Sequence, residues 1–450
     1  MPVEVDREPH RSQRCEVISG PTHQVLGDGY GWVCVGREPE RLARRLGLAD
    51  AVVIGLGAML GAGIFAAPAP AAGAAGSWLL AGLVLASVVA YANATSSAQL
   101  AALYPEAGGT YVYARHRLGE YWGFLAGWSF VVGKTASLAA MALTFGSYVA
   151  ADVARPVGIA AVVALTAVNY LGVQKTAKLT RLILTVVLST LAGVVAAVVL
   201  GDAATTDNLT GELPDGVWGV LRSGGLLFFA FAGFARLATL GEEVRDPEVT
   251  IPRAIPIALG IVVAVYAVVL SAVLLVVGPS VLADSPAPLV SAVEASGWSD
   301  LAPAVRVGAA AASAGVLLSL LAGISRTALA MARRTELPTL LDAVHPKYRT
   351  PHRAEVATAV IVCIAVAVAD LRGAIGFSSF AVLTYYALAN ASALTLSADD
   401  RRWPKWLAAL GLALCALLAV TLPIESVVGG AVLLAVGSIV WLATKAHRRR

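Results

Sequence analysis

Gly55-Leu-Gly-Ala-Met-Leu-Gly61-Ala-Gly63-Ile-Phe65, followed by Pro68 and Pro70, lies inside an apolar run long enough to cross a bilayer. Four glycines fall within nine residues, and each weakens a helix by about 1 kcal/mol relative to alanine. In hydrocarbon an unpaired backbone group is costly, so loosened backbone is tolerated only against protein or a cavity. The stretch therefore predicts a membrane helix that breaks near the bilayer midplane. A second such device comes later. Gly224-Gly225 precede Phe228-Phe-Ala-Phe-Ala-Gly233-Phe234 five predicted spans further on, the offset of an inverted repeat.

A pair of breaks suits a zwitterion. Where the first span restarts after Gly61–Gly63, free amides and the positive helix end face the midplane and hold a carboxylate. The outer half of the sixth span is expected to end near Ala230, leaving unpaired carbonyls for an ammonium. The plainer reading of the first stretch is a GxxxG packing face on Gly57 and Gly61. It accounts for one span and leaves the matching break in the sixth unexplained. A dinucleotide-binding reading of the GxG pattern fails, because no βαβ unit surrounds it.

Composition agrees with a membrane protein. The 450 residues are 58% hydrophobic and only 14% charged, whereas a soluble domain carries roughly 25% charged residues. Mean hydropathy is +0.75. The apolar residues come in blocks of about twenty, the length that crosses roughly 30 Å of hydrocarbon, with none of the alternation of a β-barrel. The expected fold is all-α and polytopic, with twelve transmembrane helices. They are predicted near 50–72, 77–103, 120–150, 156–172, 179–200, 217–240, 253–277, 303–332, 354–371, 373–396, 404–421 and 426–444. Residues 1–47 read as a disordered cytoplasmic tail, and 445–450 as a basic one. Of the 33 Lys and Arg, 26 fall on one predicted side, four on the other and three within spans. The positive-inside rule then puts both termini in the cytoplasm. The net charge of +4 belongs to these loops rather than to a nucleic-acid surface.

Gly57-Ala-Met-Leu-Gly-Ala-Gly-Ile-Phe65 resembles the first-span signature of the amino acid–polyamine–organocation superfamily. Phe228 through Pro247, continuing to Ile251-Pro-Arg-Ala-Ile255, resembles its sixth span and following loop, closest to the cationic amino acid transporters and their bacterial relatives. Tyr104-Pro-Glu-Ala-Gly-Gly-Thr-Tyr111 and the segment from Arg326 to Leu337-Pro338 are also similar to family motifs, and the resemblance covers roughly 48–445. It implies a five-plus-five inverted repeat, 48–200 and 217–396, with discontinuous helices 1 and 6 and two added helices over 404–444. It also implies alternating access across the cell membrane, amino acid or amine (polyamine) substrates, and in some members a coupling proton. Carried over by position, Gly61, Ala62, Gly63 and Ile64 contact the substrate carboxylate. Phe229, Ala230 and Phe231 offer carbonyls to its amine, Gly233 completes the site, and Phe228 and Phe234 help to form the gate. Two departures stand out. Ala235, followed by Arg236, replaces an acidic residue common in the family, and Val187 falls where some proton-coupled members carry a lysine.

Three cations lie within spans. Lys134 sits about fourteen residues, hence roughly 21 Å, into the third span, at an insertion cost of about 3 kcal/mol. Either its ammonium replaces a coupling cation and changes protonation during transport, or it snorkels toward an interface marked by Trp122 and Trp128. Arg236 and Arg326, with Glu242 and Glu243 about two turns below Arg236, either form an inner gate or anchor helix ends at the interface. Tyr385, Tyr386, Asn390, Ser378 and Ser379 either line the outer vestibule or satisfy one another across helices.

The function classes separate on these grounds. An enzyme needs convergent His, Asp, Glu or Cys residues, and the spans hold almost none. Cys15, Cys34, Cys363 and Cys415 read as unpaired thiols without metal-ligand spacing, and His345 and His352 as solvated loop residues, so neither metal nor cofactor is expected. A channel needs a ring of repeated charges or carbonyls. A nutrient sensor on the same scaffold usually carries a large soluble extension. The expectation is a permease, with a neutral amino acid slightly favoured over a cationic one.

Overall fold

A computed structural model describes residues 46–104, 108–172, 177–211, 213–238 and 243–448. The expected tail up to residue 45, Glu242 and the Pro105-Glu-Ala107 part of one motif lie outside the described residues.

The described chain is helical apart from turns and a single parallel bridge between Leu46 and Val244. The first apolar run is divided into α1 (Leu48–Met59), α2 (Gly63–Ala66) and α3 (Pro68–Ala75). Next come α4 (Leu79–Leu103), α5 (Thr110–Leu118), α6 (Glu120–Val149), α7 (Ala154–Tyr170) and α8 (Ala177–Leu200). The sixth run is α9 (Gly216–Phe231), a 3₁₀ turn (Ala232–Phe234) and α10 (Ala235–Ala238). After it follow α11 (Pro247–Val277), α12 (Pro279–Asp284), α13 (Pro288–Ala295) and α14 (Ala302–Arg333). The chain closes with α15 (His352–Val368), α16 (Leu371–Leu394), α17 (Lys405–Thr421) and α18 (Ile424–Arg448).

Among the described residues, ten helical segments are long and apolar enough to cross a membrane, which makes this a multi-pass membrane protein. The helices α15 and α17, of 17 residues each, are at the short limit for a span. Two features depart from the sequence reading. The seventh run starts at Pro247, six residues before the expected 253, because Pro252 and Pro256 are absorbed inside α11. Pro247 stands in its first turn, where a missing N–H costs nothing. The connections at 110–118 and 279–295, which lie between the expected spans, contain short helices that pack against the bundle.

Burial sorts the helices into centre and rim. The apolar windows of α16 and α6 are 78% and 72% buried, those of α7 and α18 only 11% and 22%. Rim helices present Val163, Ile361, Ile439 and Leu442 outward, an apolar face that water cannot cover but hydrocarbon can. Across the bundle, contacts link α1, α4, α9 and α11 into one group, and α6, α7, α14 and α15 into a second. α16 packs on both α6 and α4.

One end of the bundle gathers the basic connections. There Leu46 pairs with the Glu243–Arg245 backbone, the Arg402 guanidinium donates to Glu248 O, and the Arg117 side chain donates to Thr395. Arg181 pairs with Asp50 at the start of α1, whose carboxylate also accepts from Gly47 N. This end is called the basic end below.

Candidate functional site

The α1–α2 break spans Leu60–Ala62. Leu60 N still donates to Leu56 O, after which the i to i−4 ladder stops. Among the described residues no backbone carbonyl accepts from the amides of Gly61, Ala62 or Gly63. Three donors at the start of α2 are thus left without a backbone partner, the pattern of a helix N-terminus that can take an anion. The glycines are there for close approach. A Cβ on Gly63 would stand 2.7 Å from Ala230 Cα, and one on Gly233 would stand 2.1 Å from Ala58 O. The two breaks therefore touch backbone to backbone.

The second break is milder than expected. α9 continues to Phe231 and turns 3₁₀ over Ala232–Phe234. Its carbonyls are also not unpaired, which corrects the expectation of free acceptors near Ala230. Tyr266 Oη, from α11, donates to Ala230 O at 3.2 Å and to Met59 O at 2.5 Å. Ala232 O accepts from Lys134 Nζ at 3.2 Å and from Tyr386 Oη at 3.4 Å. Side chains from three other helices supply the donors, because hydrocarbon offers no water to do so.

Between the breaks lies a cavity with about 40 Å³ of room for the centres of water-sized molecules. α1 and the first break contribute Ala58, Met59, Gly61, Ala62 and Gly63, and the sixth run contributes Phe229, Ala230 and Gly233. α6 adds Lys134, Ser137 and Met141, and α14 adds Val316 and Leu320. Six of the eight predicted contact residues therefore meet at one hollow. Ile64 and Phe231 do not line it. Both are buried at 1% exposure or less, and Phe231 packs edge-on against Tyr266 with centroids 5.1 Å apart.

Lys134 is 5% exposed, and its ammonium reaches into this hollow rather than to an interface. Its head group is held by a buried carbonyl, unlike that of a snorkelling lysine, which reaches water. Among the described residues no carboxylate lies within 4 Å of it. Ser137, one turn along the same face, is already engaged with Ser378 Oγ at 2.6 Å.

Phe228 and Phe234 are fully buried against Tyr386, with centroids 5.8 and 4.6 Å away. Arg236 forms an ion pair with Glu243 at 3.6 Å, whereas Arg326 is exposed and makes no ion pair among the described residues. Most of the polar group on α16 bonds to neighbouring helices, whereas the Ser379 hydroxyl is buried without a partner among the described residues. Tyr385 Oη accepts from Thr110 N at the basic end, and Asn390 Nδ2 donates to Asn93 Oδ1, so these residues satisfy partners across helices. His345 and His352 form an aromatic cluster with Tyr170 and Tyr348 rather than a solvated loop.

The amino acid permease family matches residues 46–443. The chain belongs to that family. A transporter of Mycobacterium tuberculosis is 60% identical to this permease over 399 residues, 89% of this chain and 91% of its own length. The branched-chain amino acid permease of Bacillus subtilis is 26% identical over 70% of this chain and 72% of its own. A chloroplastic cationic amino acid transporter of Arabidopsis thaliana is 26% identical over 78% of this chain and 65% of its own.

Sequence reasoning missed four residues at or beside the cavity: Tyr266, Met141, Val316 and Leu320. Tyr266 carried a usable signal, since it is the lone tyrosine in the 31 residues of α11 and its hydroxyl needs a buried partner. Met141 follows Lys134 and Ser137 at helical spacing, i+3 and i+7. Val316 and Leu320 sit one turn apart in an apolar helix, with nothing to mark them.

Proposed function

We propose that the permease is a secondary active transporter that moves amino acids across the cytoplasmic membrane by alternating access. The observation that carries this reading is the cavity shared by two backbone breaks. Unpaired amides of Gly61, Ala62 and Gly63 stand on one side, and the Ala230 and Ala232 carbonyls on the other. An amino acid places its carboxylate on the amides and its ammonium toward the Ala230 carbonyl, because Ala232 O already accepts from two donors. Ile64 and Phe231 then act behind this first layer, fixing the path of the breaks.

The packing suits the twelve-helix, five-plus-five arrangement. The first group combines runs 1 and 2 with 6 and 7, and the second runs 3 and 4 with 8 and 9, so each group takes equivalent members from both halves. Alternating access is the rocking of one group against the other about the cavity. The basic end faces the cytoplasm by the positive-inside rule, with both termini inside. Phe228, Phe234 and the Arg236–Glu243 pair close the inner route, and Arg326 is held near them. Lys134 joins α6 in one group to the sixth run in the other, which makes it the coupling residue, exchanging a proton as the groups move.

Purified protein in liposomes should show saturable counterflow of at least one amino acid, which a sensor or an enzyme would not. Lys134→Ala should abolish the dependence of uptake on a pH gradient. Unchanged uptake and unchanged pH dependence in that variant would remove Lys134 from the coupling scheme.

A further inference from the structure

The charge inside the cavity is one-sided. Three unpaired amides supply partial positive charge at the first break, and Lys134 adds an ammonium at the second. Among the described residues, the cavity lining contains no Asp or Glu. An ammonium has three donors, and Lys134 spends one on Ala232 O. Its neighbour Ser137 is occupied by Ser378, and Lys134, which lines the hollow, has no second hydrogen-bond partner among the described residues. The carbonyl that would otherwise welcome a guest cation already holds a tethered one.

We infer that Lys134 selects substrates by charge: the cavity admits amino acids of net charge zero or minus one and rejects those with a second ammonium. This inference rests on the cavity being the amino acid site. A zwitterion fits with its carboxylate on the free amides and its amine toward the Ala230 side. An acidic amino acid gains a charge-assisted bond from its second carboxylate to Lys134. A lysine, arginine or polyamine brings another cation beside Lys134, in a low-dielectric space with no carboxylate to offset it. The family contains cationic amino acid transporters, so this restriction belongs to the present side-chain set and not to the scaffold.

Full-length protein, wild type, Lys134→Met and Lys134→Gln, is reconstituted in liposomes. Counterflow of radiolabelled L-alanine, L-leucine, L-aspartate, L-lysine and putrescine is then measured. Exchange needs no net driving ion, so loss of coupling does not obscure selectivity. Wild type should exchange at least one of the first three and neither of the last two. In the variants L-aspartate exchange should fall about tenfold relative to L-alanine or L-leucine, the equivalent of about 1.4 kcal/mol, and L-lysine or putrescine should become exchangeable or inhibitory. If the methionine variant does not yield monodisperse protein, the glutamine variant, which keeps a polar end, carries the comparison. Wild type that exchanges L-lysine or putrescine as well as the neutral probes would overturn the inference and leave the transporter reading intact. Active variants with unchanged charge preference would do the same. Wild type that exchanges none of the five would overturn both.

Discussion

Tyr266 does at the level of one hydroxyl what two backbone breaks demand. Its oxygen lies 2.5 Å from Met59 O and 3.2 Å from Ala230 O, residues of different broken runs. Both carbonyls are buried in protein, and a buried acceptor left unpaired costs about 1 to 3 kcal/mol. Tyr266→Phe keeps the ring and its edge contact with Phe231 but removes the donor. The variant is expected to fold, to melt earlier by about 1 to 3 kcal/mol of stability, and to show a raised KM in counterflow with a smaller change in kcat. Unchanged KM would mean that the breaks hold their alignment without this staple. Tyr148 makes a comparable bond to Phe65 O on the far side of the first break, at 3.0 Å.

At the scale of elements, the short helix α5 and the segment after α14 form a clasp over the basic end. Glu336 is fully buried and receives Arg115 Nη1 at 2.5 Å, Arg115 Nη2 at 2.8 Å and Tyr111 Oη at 2.7 Å. Burial and the neighbouring Glu336 carboxylate push the Tyr111 phenol above its ordinary value, so it stays a donor at physiological pH. The clasp ties the connection between α4 and α6 to the end of α14. Truncating one partner of a buried pair typically costs about 3 to 5 kcal/mol, because the other charge is left behind. Glu336→Gln should therefore lower the melting temperature and loosen the basic end. A cysteine introduced at Ser137 in the cavity should then react faster with a membrane-impermeant thiol reagent added from that side. An unaltered labelling rate would show that the clasp is structural and does not gate access.

At the scale of the whole molecule, the two packed groups should behave as units. Leu46 and Val244 lie at the basic ends of the first and sixth runs and form a parallel bridge, with Leu46 N donating to Glu243 O and Arg245 N to Leu46 O. Paired backbones of this kind stand about 4.8 Å apart, within the span of a disulfide. Leu46→Cys with Val244→Cys should cross-link under oxidation while counterflow continues, because both ends ride on the same group. Loss of counterflow that returns on reduction would show that the first and sixth runs must part during the cycle. The same division explains why Lys134 and Tyr386 matter. They reach Ala232 from outside the group to which it belongs, so their bonds cross the proposed plane of movement.

Much of this was legible in the residue string. Long apolar blocks read as membrane helices because a chain in hydrocarbon must pair its own backbone. The glycines from Gly55 to Gly63, and Gly224-Gly225 before Phe228, read as breaks because glycine weakens a helix. Six of the eight contact residues carried over from the family resemblance line the cavity. The depth and aim of Lys134 did not follow, since helical periodicity tells which way a residue turns but not what stands opposite. Its carbonyl partner is 98 residues away in the chain, and the partner of Tyr266 at Met59 is 207 away. Packing alone brought those groups together and capped the carbonyls at Ala230 and Ala232 that looked free in the sequence. Local composition set where the backbone lets go, and long-range contacts decided which donors took hold of it.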